Sequence, residues 1–181
     1  MKQRLFTFGL IVLGMVILSA SPAKATTSSN GPYYAMPSWD QQLPASTRFI
    51  VLSNWASPGA VLDRETGLVW ELSPSTSTFV WEDAHTQCNQ LTTGGRLVWR
   101  IPTIQEFASL VDPTQTSPAL PSGNPFNNVQ STQPYWSATT SGSDSTLAWG
   151  VRLSTGGVST FGKGFTAFVW CVRGGQGVNP Q

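Results

Sequence analysis

The most reactive side chains in this chain are two cysteines and one histidine, and His85 lies three residues before Cys88. On one helix that spacing sets an imidazole beside a thiol, the arrangement of a thiolate nucleophile and its base. The competing chemistry is oxidation. In an oxidising compartment an even, small number of cysteines means a disulfide, and a bonded sulfur is no longer available as a thiolate. The destination of the chain therefore decides between the two.

Residues 1–25 have the layout of an export signal. Lys2 and Arg4 supply the positive start, Leu5 to Leu18 the apolar run, and Ala23-Lys24-Ala25 the small residues of a cleavage site. The apolar run is too short for a membrane span, and no later segment is long and apolar enough to cross a bilayer. No cysteine follows the run to carry a lipoprotein anchor. The expected product is exported, periplasmic or extracellular, with Cys88 bonded to Cys171 in place of a Cys88–His85 catalytic pair. That bond would close a span of 83 residues, worth about 4 kcal/mol on the chain-entropy model. The expected layout is a signal peptide (1–25), an extended N-terminal arm (26–47), one domain (48–175) and a short tail (176–181).

Composition narrows the partners. Three of the ten basic residues, Lys2, Arg4 and Lys24, lie in the leader. Seven basic residues then stand against nine acidic ones, a net charge of −2. Such a surface does not suit nucleic acid, which needs a basic face. One histidine, and no spaced Asp/Asn loop ending in Glu, give no zinc or calcium signature, so neither metal nor cofactor is expected. Asp144, inside Ser141-Gly142-Ser143-Asp144-Ser145, offers one carboxylate that a calcium site would use and a plain turn would equally use. No Gly-x-Ser-x-Gly elbow or phosphate-binding glycine loop is present. Glu82-Asp83 is explained by a helix start.

The elements that must position these residues can be read in order. Arg48 to Leu52 reads as a strand, and Val61 to Glu71 as a hairpin turning through Arg64-Glu65-Thr66-Gly67. Trp81, Ala84, Cys88 and Leu91 share one helical face, with Gly94-Gly95 as its stop. Thr103 and Glu106 form a capping box for a second helix bearing Ile104, Phe107, Leu110 and Val111. Asp112 to Pro134 shows no periodicity and holds five prolines, which predicts a long, stiff loop. Strand signals follow at 135–139, 147–153, 158–161 and 167–173. Of the eight tryptophans, Trp70, Trp81, Trp99, Trp136 and Trp149 read as core. Trp39 and Trp55 are freer to be exposed, where an aromatic face can stack on a sugar ring. Arg100 reads as an internal anchor for backbone carbonyls or a carboxylate.

Six of these pieces, Asp63 to Glu71 (DRETGLVWE), Trp81 to Leu91 (WEDAHTQCNQL), Gly94 to Asp112 (GGRLVWRIPTIQEFASLVD), Tyr135 to Thr140 (YWSATT), Ala148 to Val151 (AWGV) and Cys171 to Gly174 (CVRG), stand in an order that resembles the Lcl C-terminal domain family. The family is named for the C-terminal domain of a bacterial collagen-like adhesin. The resemblance implies a C-type-lectin-like α+β fold, distantly related to that of the formylglycine-generating enzymes. It also implies a bond from a cysteine on the first helix to one on the last strand, where Cys88 and Cys171 fall. The chain departs from the pattern in having Trp170 where many members carry arginine, and in lacking a collagen-like repeat. It also has few basic residues for a glycosaminoglycan binder.

These readings predict an α+β domain with two short helices, a small, mostly antiparallel sheet, a long proline-rich loop and one disulfide. The expected function is a secreted, non-enzymatic, adhesin-like module that binds a glycan or an envelope protein. Asn124, Asn127, Asn128 and Asp144 are the candidate contacts, since amides and carboxylates pair with hydroxyls. A structural or protein-interaction subunit of an envelope complex, using the arm around Tyr33 and Trp39, is the alternative. An enzyme of the formylglycine-generating-like fold stands third. N-terminal sequencing of exported protein is expected to begin at Thr26; an intact Met1 end in an envelope fraction would refute the signal.

Overall fold

The computed structural model of the protein describes residues 43–55 and 59–174. The export signal, Tyr33, Trp39, residue 175 and the tail (176–181) lie outside them.

A four-residue helix, α1 (Ala45–Arg48), leads into β1 (Phe49–Val51), β2 (Ala60–Asp63) and β3 (Leu68–Glu71). After a short β4 (Thr78–Phe79) come α2 (Trp81–Asn89), a 3-10 turn (Thr93–Gly95) and α3 (Ile104–Ala108). The remaining elements are β5 (Tyr135–Thr140), β6 (Leu147–Arg152), β7 (Gly157–Gly162), β8 (Ala167–Phe168) and β9 (Val172–Gly174). They form two sheets, ordered β1-β2-β3-β9 and β4-β8-β5-β6-β7. Every pairing is antiparallel except that of β5 with β8.

Two sheets replace the single one expected, and the reason lies in residues 167–173. That run reads as one strand. In the fold, β8 pairs with β4 and β5, while β9 pairs with β3. Between them Val169, Trp170 and Cys171 cross from one sheet to the other, all buried. Strand-like alternation divides them: Trp170 enters one apolar cluster with Trp70, Phe107 and Tyr135, while Val169 and Cys171 enter a second with Trp99, Ile101 and Trp136. Trp170 has ring centroids of Phe126, Trp70, Tyr135 and Phe107 within 4.8–6.0 Å. Its Nε1 donates to the Glu71 carbonyl at 2.9 Å, so the polar end of a buried indole is satisfied.

The helices form for local reasons. Glu82 and Asp83 lie in the first turn of α2, and Ala84 and Cys88 are buried from it. Cys88 is bonded to Cys171, tying α2 to the chain just ahead of β9. Gly94 does not end this helix, which stops at Asn89. At φ +71, a Cβ on Gly94 would lie 2.2 Å from the Trp55 ring. Glycine is required there so that the indole can lie on the backbone. Thr103 and Glu106 make the full capping box of α3. Glu106 also takes both Arg100 Nη atoms, at 2.6 and 2.7 Å, and Arg100 Nη2 reaches the Gly174 carbonyl at 3.0 Å.

Arg48 is not the first residue of a strand. It closes α1 and is fully buried. Its Nε and Nη2 donate to both carboxylate oxygens of Asp63, at 2.9 and 2.8 Å, and Nη2 also reaches the Ser109 carbonyl. Nη1 lies 3.2 Å from Glu65. Asp63 accepts further bonds from the Glu65 amide and the Thr66 hydroxyl. A buried pair whose carboxylate is bonded at both oxygens is costly to break from one side. Asp63→Ala is therefore expected to lower unfolding free energy by about 3–5 kcal/mol, read as a lower urea midpoint. A loss under about 1 kcal/mol would mean that Glu65 and the Ser109 carbonyl suffice for Arg48.

Candidate functional site

Between α3 and β5 the chain forms neither helix nor strand, yet it is pinned throughout. Ala119 and Leu120 are buried, and Phe126 and Val129 pack on the Trp170 cluster. The Ala119 amide donates to the Leu153 carbonyl at 2.7 Å. Tyr135, whose hydroxyl accepts the Gln130 amide at 2.7 Å, holds the far end, and burial pushes its phenol well above the usual range.

The three asparagines on this stretch differ in what their amides do. Asn124 is an internal staple: Nδ2 donates to the Pro121 carbonyl and Oδ1 accepts the Phe126 amide. Asn128 sits at φ +55, a left-handed conformation that asparagine tolerates, and its Nδ2 donates to Ser73 Oγ at 2.9 Å. Asn127 is fixed through its backbone, whose N–H donates to the Leu72 carbonyl at 2.9 Å. Its exposed side chain makes no hydrogen bond among the described residues. Asn127, Asn128 and Ser73 thus form one polar surface held on a rigid base.

Asp144 is elsewhere, at the turn joining β5 to β6. Its Oδ1 accepts the Thr146 hydroxyl and the Thr146 amide. Those two bonds, the hydroxyl first, hold its carboxyl below the usual range. No hydrogen bond or ion pair among the described residues joins this turn to the Asn124–Asn128 segment. No group of three or more His, Cys, Asp and Glu side chains among the described residues is placed to hold a metal ion.

His85 packs edge-on against Trp81, with ring centroids 4.3 Å apart, and Lys163 Nζ lies 4.0 Å above the same indole. Burial lowers the His85 pKa, partly offset by Glu82. Trp70, Trp99 and Trp136 are buried as expected, whereas Trp81 and Trp149 are half-buried. Trp55 is half-buried too, between Gly94 and Trp99.

Two features escaped the sequence reading. Glu71 is buried and its Oε2 accepts the Cys171 amide at 2.8 Å. Burial is the larger influence and pushes its carboxyl up to about 7. The alternation along β3 carried a signal, since it puts Glu71 on the same face as Val69, beside Ala60. Leu97 and Val98 protrude into solvent, an apolar pair directly after Gly94-Gly95-Arg96.

Residues 59–173 match the model of the Lcl C-terminal domain. The chain belongs to this family. No curated protein matches the chain. The Lcl C-terminal domain match holds the elements from β2 onward, all but the last residue of β9, and both cysteines. Helix α1 and β1 precede it, yet Arg48 binds Asp63 within the match, so these two elements are built into the same body. No helix among the described residues is long and apolar enough to cross a membrane.

Glu71 makes the domain's stability depend on pH. Between the ordinary value of 4.5 and about 7, the folded chain keeps a proton that the unfolded chain has released. Stability is then greatest below that window and falls as pH rises through it, by up to about 3 kcal/mol. Glu71→Gln, which keeps an acceptor for the Cys171 amide, is expected to flatten the dependence between pH 5 and pH 8. Thermal melts at both values check this; an unchanged slope would assign the dependence to another group.

Proposed function

We propose that the protein is a non-enzymatic binding module of C-type-lectin-like fold, acting in the periplasm or outside the cell, that recognises a glycan or another protein. The observation that carries the reading is Asn127. An exposed amide free of hydrogen bonds among the described residues, on a backbone fixed by Leu72 and flanked by the Asn128–Ser73 bond, is prepaid in conformational entropy. Binding through it orders little that is not already ordered. The amide offers one acceptor and two donors to a hydroxyl or a peptide group.

The other parts of the reading rest on separate supports. The disulfide from α2 to the segment before β9, and the irregular stretch between α3 and β5, favour the lectin-like architecture. The disulfide and the leader together favour an exported location. A bonded Cys88 removes the thiol that a His85-assisted nucleophile would need, which favours binding over catalysis. Asp144 enters as a secondary contact, since its carboxylate is exposed but already engaged by Thr146.

A glycan array probed with the exported chain tests the proposal. Asn127→Ala is expected to weaken binding about fivefold, the worth of one hydrogen bond near 1 kcal/mol, with Tm unchanged. Asn128→Ala is expected to lower stability as well, because alanine loses the Ser73 bond and fits φ +55 poorly. Asn128→Gly separates the two effects by accepting the backbone. A blank array, with no envelope protein retained by the wild type, rejects the reading. Binding untouched by Asn127→Ala removes the site from this surface.

A further inference from the structure

The large apolar residues most open to solvent among those described are neighbours: Leu97 is 64% and Val98 77% exposed. Val98 is also held at φ +68, a conformation β-branched residues avoid. The pair is braced on both sides. Buried Trp99 donates from Nε1 to the Arg96 carbonyl at 3.1 Å, and Arg173 donates from Nε to the Leu97 carbonyl at 2.9 Å. At the base of this tip lies Trp55, with the Arg96 guanidinium 5.9 Å from its ring centroid. Register places Arg173, Val69, Leu62 and Ile50 in one row across β9, β3, β2 and β1, with Ile50 exposed at the outer strand.

Charge decides what this surface suits. Arg48 and Arg100 have carboxylate partners, but Arg96 and Arg173 have none among the described residues. Two copies meeting here would bring unpaired guanidinium groups together, which opposes self-association. A partner helix needs a groove, whereas Leu97 and Val98 stand out as a point. Protruding aliphatics, a half-buried tryptophan and a rim of unpaired arginines are the composition that settles at a lipid–water boundary. We propose that the Arg96–Leu97–Val98 tip docks on an anionic lipid surface. Leu97 and Val98 enter the headgroup boundary, Trp55 lies at its level, and Arg96 and Arg173 meet lipid phosphates. The positive φ at Val98 is retained because it points an aliphatic side chain outward.

Co-sedimentation of the exported chain, disulfide intact, with phosphatidylcholine vesicles and with equimolar phosphatidylcholine–phosphatidylglycerol vesicles tests this. Binding is expected to the anionic vesicles, weakening as salt rises. Leu97→Ser with Val98→Ser is expected to reduce it about tenfold, and Arg96→Gln to reduce it about fivefold. Val98→Gly gives a readout that a purely structural role would not produce: Tm rises by a few degrees as strain is relieved, while vesicle binding falls. The proposal is overturned if the wild type does not sediment with anionic vesicles, or binds neutral ones equally. It is also overturned if the double serine variant binds as the wild type does. Self-association in sedimentation equilibrium that the double variant abolishes, without vesicle binding, would assign the tip to an interface between copies and reject the lipid reading.

Discussion

The fold depends on three consecutive buried residues, Val169, Trp170 and Cys171, because they carry the chain from β8 in one sheet to β9 in the other and pack against both apolar clusters. Each sheet alone has a face to cover, and two sheets of four and five short strands need a shared core. Trp170 fills that core from the middle of the passage, among Trp70, Phe107, Phe126 and Tyr135. Cys171 fixes the opposite side by its bond to α2. The Glu71 chain then closes the unit, its carbonyl taking the Trp170 indole and its carboxyl the Cys171 amide. Moving any one of these groups displaces contacts in both sheets.

Two buried acids show how differently the same carboxylate can be accommodated. Asp63 has a guanidinium on both oxygens, plus an amide and a hydroxyl. Desolvation of the pair is offset by four directed bonds to the Asp63 carboxylate. Glu71 has one backbone amide against burial, too little to offset the loss of water, so its carboxyl retains a proton to higher pH. The distinction is one of partners rather than of depth. It makes Arg48–Asp63 a fixed joint between α1 and the hairpin, and Glu71 a group whose state follows the medium.

What could be read from the chain in advance was local. The Thr103–Glu106 box needs only residues three apart, and the β2–β3 turn needs only Gly67, at φ +70, after Asp63. The disulfide followed from an export signal and a count of two. Arg48 escaped because its partners lie 15 and 61 residues away, and no local pattern marks a buried ion pair. Gly94 was mistaken for a helix stop because a glycine pair carries the same local signal whether it ends a helix or admits a tryptophan ring. Residues 167–173 read as one strand because alternation is the same on either side of a crossover. At the candidate site the residue types were legible and their roles were not. Asn124, Asn127 and Asn128 are chemically identical, and only the fold separates a loop staple from an amide left open to solvent.

That separation explains where a domain of this kind can carry recognition. Apart from the largely exposed β7, its regular elements place many of their side chains in two apolar clusters and in the passage between them. The segments between elements are free, but an unbraced loop would lose on ordering what it gained on contact. Here both prominent segments are braced from beneath: the Asn127 stretch by Phe126 in the core and the Leu72 carbonyl, the Leu97–Val98 tip by Trp99 and Arg173. Each also carries a residue in the left-handed region that is not glycine, Asn128 and Val98. For asparagine the conformation costs little. For valine it is unfavourable: internal bonds hold the backbone on either side, but the side chain itself is mostly in solvent. A strained residue whose side chain adds no packing in return is the physical ground for the proposed docking at Val98, and that argument sets it apart from Asn128.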